Sequence, residues 1–189
     1  DVFYMAIAII GVLVSSWAHI FDIISIPQII KKNKSQEKEE LHIFIGGMLS
    51  FAFIISFILF LIFLLFPSQI SLMAYGLDEN RKKLLLESFI WLLPAIIIFL
   101  PLSYMGSILK AFRHFSLMYF IEIIGSIIVL SCIYFFINSK NVLYWSYSLS
   151  IIIPFIITFS AVRLITNLRF SNPFSNSVKY LISSLSKFN

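Results

Sequence analysis

Residues 41–66 read LHIFIGGMLSFAFIISFILFLIFLLF, and Pro67 stops the run. No charged side chain interrupts it, and it is longer than the ~20 apolar residues that carry a helix across a bilayer. A barrel strand spans with about 10 alternating residues, and this stretch does not alternate. Its backbone groups must therefore be satisfied within the segment, which a continuous helix achieves.

The same pattern recurs on either side. Apolar runs cover 2–26, 84–109, 116–137 and 142–165, separated by short polar stretches. The fold class expected is an all-α, polytopic transmembrane bundle with five spans in one transmembrane domain. Composition agrees: of 189 residues, 60% are hydrophobic and 12% charged, and mean hydropathy is +0.97. A soluble domain carries about 25% charged residues, so a water-soluble fold is excluded, as is a disordered chain.

Between the runs lie KKNKSQEKEE (31–40), PSQISLMAYGLDENRKK (67–83) with an interfacial half-turn at 70–75, KAFRHF (110–115) and NSKN (138–141). The tail at 172–189 reads as the start of a further helix. The chain opens on Asp1 directly before apolar sequence and is expected to be an internal piece of a longer protein; no cleavable leader is recognisable.

Basic residues fix an expected orientation. Lys31, Lys32, Lys34, Lys38, Lys110, Arg113, Arg163, Arg169, Lys179 and Lys187 fall on one side, and Arg81, Lys82, Lys83 and Lys140 on the other. The positive-inside rule puts loops 31–40 and 110–114 and the C-terminal tail in the cytoplasm. The net charge of +5 is thus loop bias rather than a nucleic-acid face. A single cysteine, Cys132, excludes a disulfide framework.

Ionisable groups within spans are costly and face water or a partner. Ser15, His19 and Asp22 share one face of the first helix. Ser15 and His19 are candidates to line a polar cavity, whereas Asp22 lies near the cytoplasmic end and is expected to meet water. Glu87 stands one turn from Lys83, an expected interfacial ion pair. Glu122 lies two turns into the fourth span, about 10 Å deep at about 1.5 Å per residue, and is the strongest cavity candidate. Pro94, Pro101 and Pro154 are expected to bend their helices. No metal-ligand spacing, nucleophile elbow or phosphate-cradling loop occurs, so neither a catalytic residue, a metal nor a cofactor is expected, and the chain is not read as an enzyme.

The order of short motifs resembles an internal fragment of the lipid II flippases of the MviN/MurJ type, in the multidrug/oligosaccharidyl-lipid/polysaccharide exporter superfamily. Asp1-Val2-Phe3-Tyr4-Met5-Ala6 is similar to the entry to that family's second helix, and Pro27 in SIPQII to the proline at that helix's end. Ala74 and Gly76 stand for its A-P-G-F segment, and Pro94 and Gly106 for the proline and glycine of its fourth helix. Leu109 to Phe115 (LKAFRHF) is similar to the L-N-A-x-G-R-F turn, with Ala111 and Phe115 shared and Arg113 and His114 in place of Gly and Arg. The family's second-helix arginine pair falls near Val14 and Ser15.

The resemblance implies part of the N-terminal lobe of a two-lobe transporter in the bacterial inner membrane. It implies a polyprenyl-diphosphate-linked oligosaccharide as substrate, moved to the outer leaflet by alternating access. Asp1, Ser15, His19 and Glu122 would face the cavity. Its partners would be that lipid II-like substrate, membrane lipids and the remaining half of the transporter, with no nucleic acid. An exporter of O-antigen or capsule units, or a non-transporting scaffold of the same fold, are the alternatives.

Overall fold

The computed structural model describes residues 2–35, 38–67, 78–139 and 141–166, apart from the Leu13 side chain. Asp1, Ala74, Gly76, the 70–75 half-turn and the 172–189 tail lie outside the described residues.

Five helices follow in order: α1 (Val2–Lys34), α2 (Lys38–Leu65), α3 (Glu79–Ala111), α4 (Phe115–Phe135) and α5 (Val142–Thr166). All five are long and apolar enough to cross a membrane, and no strand occurs among the described residues. The chain is therefore an all-helical bundle of the multi-pass membrane type.

α1 and α3 outrun their apolar stretches most. α1 continues past residue 26, through Pro27, to Lys34, and α3 starts at Glu79 rather than at 84. Apolar run length marks where hydrocarbon ends, not where backbone hydrogen bonding ends. Lys31, Lys32 and Lys34 occupy the last turn of α1, where cations favour the helix dipole. Glu39 and Glu40 lie in the first turn of α2, and Lys32 of α1 pairs with Glu40. At the start of α3, Asp78 has extended backbone and its carboxylate accepts from the Arg81 amide at 3.4 Å, an N-cap.

The turn between α3 and α4 closes in a Schellman arrangement. The His114 amide donates to the Leu109 carbonyl at 2.8 Å and the Arg113 amide to that of Lys110 at 3.0 Å. This geometry puts Arg113 at φ 63°. In that left-handed region a side chain costs about 1 kcal/mol and glycine costs least. Arg113→Gly is accordingly expected to raise stability by about 1 kcal/mol, read as a higher melting temperature in detergent. An unchanged or lower value would mean that the Arg113 side chain makes compensating contacts. Asn141, at φ 65°, directly precedes α5, where its carbonyl accepts from the Tyr144 amide at 3.0 Å, and asparagine is a residue type that tolerates left-handed backbone.

α3 is the hub. α1, α2 and α5 all pack on it, while α4 packs on α5 and touches α3 little. Buried side chains run the length of α3, from Leu85 through Phe89, Leu92, Ile96, Leu100 and Tyr104 to Ile108. Phe21 of α1 meets the Tyr104 ring at 5.5 Å, and Phe63 of α2 meets Phe89 edge-on at 5.3 Å. Ser148 of α5 donates to the Trp91 carbonyl of α3 at 2.6 Å. In α4 only Ile121 and Gly125 are fully buried.

Pro94 and Pro101 lie inside α3 and Pro154 inside α5, each within an unbroken helix. A proline removes one amide donor without ending the element when the surrounding helices hold it in place.

Candidate functional site

Because α4 leans on α5 and away from α3, a cleft of about 550 Å³ opens among the three. Its α3 wall carries Phe99, Ser103, Gly106 and Lys110; its α4 wall carries Met118, Glu122, Gly125 and Ser126. Tyr147, Ser150, Pro154 and Thr158 of α5 form the base.

Two glycines shape it. A Cβ on Gly125 would stand 3.0 Å from the Ser150 carbonyl oxygen and 3.5 Å from the Pro154 ring, so glycine is what lets α4 and α5 touch here. Gly106 faces Met118, whose Sδ would lie 3.9 Å from an added Cβ. The Ser150 carbonyl is also the group that would accept from residue 154 in a regular helix, and Pro154 has no amide to give.

Glu122, eight residues into α4, lines this cleft and makes no ion pair among the described residues. Lys110 closes the same cleft at the end of α3. Its Nζ lies 2.7 Å from the Asp22 carboxylate of α1, which also accepts from the Ser107 hydroxyl. Asp22 and Lys110 are each about a third exposed, at 28% and 32%, so the pair sits at the margin of the bundle rather than in its centre.

Asp22 therefore does not simply meet water. It binds α1 to α3, because a carboxylate close to hydrocarbon gains most from a cation that reaches it. Sequence spacing holds no sign of this contact, since the partners are 88 residues apart. The available signal was position in the apolar runs: Asp22 stands four residues before the end of the 2–26 run and Lys110 directly follows the 84–109 run, on the same expected side. Ser107, one turn before Lys110, shares its face.

Ser15 and His19 do lie together, on an exposed stripe of α1 with Tyr4, Val12 and Ile23. The Ser15 hydroxyl donates to the Val12 carbonyl at 3.2 Å. Neither Ser15 nor His19 lines the cleft that holds Glu122. Glu87 is exposed and forms no ion pair with Lys83; the nearest charge pairing at this end of α3 is Arg81 with Asp78 at 3.6 Å. Among the positions that carry the family resemblance, Pro27 is exposed in α1, Gly106 faces the cleft, Ala111 is the last residue of α3, and Phe115 begins α4.

No group of three metal-ligating side chains occurs among the described residues. The site is thus a cleft among three candidate membrane-spanning helices, with a carboxylate that makes no ion pair among the described residues, a lysine paired with Asp22, hydroxyls and apolar walls. Comparisons with models of known protein families, with curated proteins and with solved structures return no match for this chain.

Proposed function

We propose that this chain forms part of a flippase that moves a polyprenyl-diphosphate-linked oligosaccharide, lipid II-like, from the inner to the outer leaflet of a bacterial plasma membrane. The observation that carries the reading is the cleft itself. It lies between helices that could cross the membrane, and two of its walls contain prolines. It also holds ionisable groups that lipid would not tolerate. A polar site between helices of a bundle whose parts move against one another is what alternating access uses. Loops 31–40 and 110–114 and the tail face the cytoplasm in this reading, and the protein carries its cargo without chemical change, catalytic residue or cofactor.

The motif order favours the MviN/MurJ type. The left-handed backbone at Arg113 falls where that family carries glycine, which is the backbone such a turn requires. Val14 and Ser15, standing near the family's arginine pair, favour the second reading, a sister exporter of O-antigen or capsule units. Depleting the protein in its host and identifying the accumulated polyprenyl-linked lipid by mass spectrometry distinguishes them. Lipid II is the expected product, and a different lipid-linked glycan would assign the sister exporter. No accumulated lipid would overturn both in favour of a non-transporting scaffold.

A further inference from the structure

The cleft is rich in hydrogen-bond acceptors and poor in donors. Lys110 is taken by Asp22, and Glu122 makes no ion pair among the described residues. Three hydroxyls on the walls direct their single protons to their own helices. Ser126 donates to the Glu122 carbonyl at 3.2 Å, Ser150 to that of Tyr147 at 2.7 Å, and Thr158 to that of Pro154 at 2.7 Å. What each offers a ligand is a lone pair. A carboxylate and three such oxygens are satisfied by a ligand that brings O–H or N–H donors.

The proposed cargo has three chemically distinct parts, and only one of them fits. A diphosphate is anionic and carries acceptors alone, so Glu122 repels it. A polyprenyl chain has no donor and would cover the carboxylate and the hydroxyl lone pairs without pairing them. A neutral sugar brings several hydroxyl donors, which reach Glu122 in charge-assisted bonds. Its C–H faces are matched by the negative ring faces of Phe99 and Tyr147 and by the aliphatic Leu102 and Val129, all in the lining. The cleft's volume of about 550 Å³ falls within the ordinary range for small-molecule sites.

We infer that the cleft among α3, α4 and α5 receives the sugar of the cargo, not its diphosphate or its polyprenyl chain, and that Glu122 accepts from the sugar hydroxyls. An acidic sugar is rejected by the same charge. The choice of ligand rests on the flippase reading above; the site rests on the lining of the cleft.

The test uses the purified protein in lipid nanodiscs and saturation-transfer difference NMR, with the neutral disaccharides cellobiose, lactose and N,N′-diacetylchitobiose as probes. Saturable binding of at least one is expected. The C6 uronate of that disaccharide, which adds a carboxylate to the same shape, is expected to bind at least ~10-fold more weakly. Glu122→Gln is expected to weaken the neutral probe at least ~10-fold, the loss of a charge-assisted contact, and to remove the discrimination against the uronate. Val129→Trp, which fills the cleft and leaves the carboxylate in place, is expected to abolish binding, with tryptophan-monitored melting confirming that both variants fold. No saturable binding in the wild type, equal affinity for the uronate, or unchanged affinity in Glu122→Gln would overturn the inference. If Glu122→Gln fails to fold, retained binding in Val129→Trp overturns it alone. Depletion in the host keeps the two readings apart. An accumulated lipid-linked glycan without sugar binding in the cleft leaves the flippase standing and refutes this site. Carboxylate-dependent sugar binding without accumulated lipid does the reverse.

Discussion

Gly125→Leu is expected to melt well below the wild-type protein, with a loss of about 3 kcal/mol, the upper end of the overpacking range. The contact it disrupts is backbone against backbone: the new Cβ would stand 3.0 Å from the Ser150 carbonyl oxygen and 3.5 Å from Pro154. Neither neighbour is the free end of a flexible side chain, so relief requires α4 to move off α5. Because α4 buries only Ile121 and Gly125, it has little other packing to hold it. Gly125→Ala should show the same effect at about 1 kcal/mol, since only the Cβ must be accommodated. Denaturation of the two variants in mixed micelles measures this, and a leucine variant as stable as wild type would show that α4 and α5 do not meet at this residue.

The second large effect concerns the link between α1 and α3. Asp22→Asn leaves the Lys110 ammonium without its carboxylate at the edge of the hydrocarbon and is expected to cost about 2 kcal/mol. Removing one partner of a wholly buried pair costs about 3–5 kcal/mol. Exposure of 28% and 32% reduces the figure here through solvent screening. The loss should come mostly from the orphaned charge rather than from the missing bond. The double variant Asp22→Asn with Lys110→Met is therefore expected to recover most of it, and a double-mutant cycle on melting free energies isolates the coupling. Simple addition of the two single effects would mean that Asp22 and Lys110 do not interact in the membrane.

Much of this molecule was legible from the chain alone. The five spans at 2–26, 41–66, 84–109, 116–137 and 142–165 correspond to α1–α5. Glu122 was recognisable as a cavity candidate because an unpaired carboxylate two turns inside a span has few other tolerable places. The extensions of α1 through Pro27 to Lys34 and of α3 back to Glu79 were not legible, because hydropathy reports the solvent around a helix, not its hydrogen bonds. The pairing of Asp22 with Lys110, and the separation of Ser15 and His19 from the Glu122 cleft, were equally hidden.

The division has a physical origin. In lipid each helix satisfies its own backbone, so the number of spans, their positions and the ionisable groups within them follow from local composition, and the sequence by itself determined these. Which helix touches which does not follow from hydrophobicity, since lipid tails are as apolar as leucine. It is decided by fit at a few points far apart in the chain: Gly125 against Ser150, Ser148 against Trp91, Lys110 against Asp22. Only the tertiary structure made α3 the hub, packed α4 on α5, and opened beside it the cleft in which Glu122 stands.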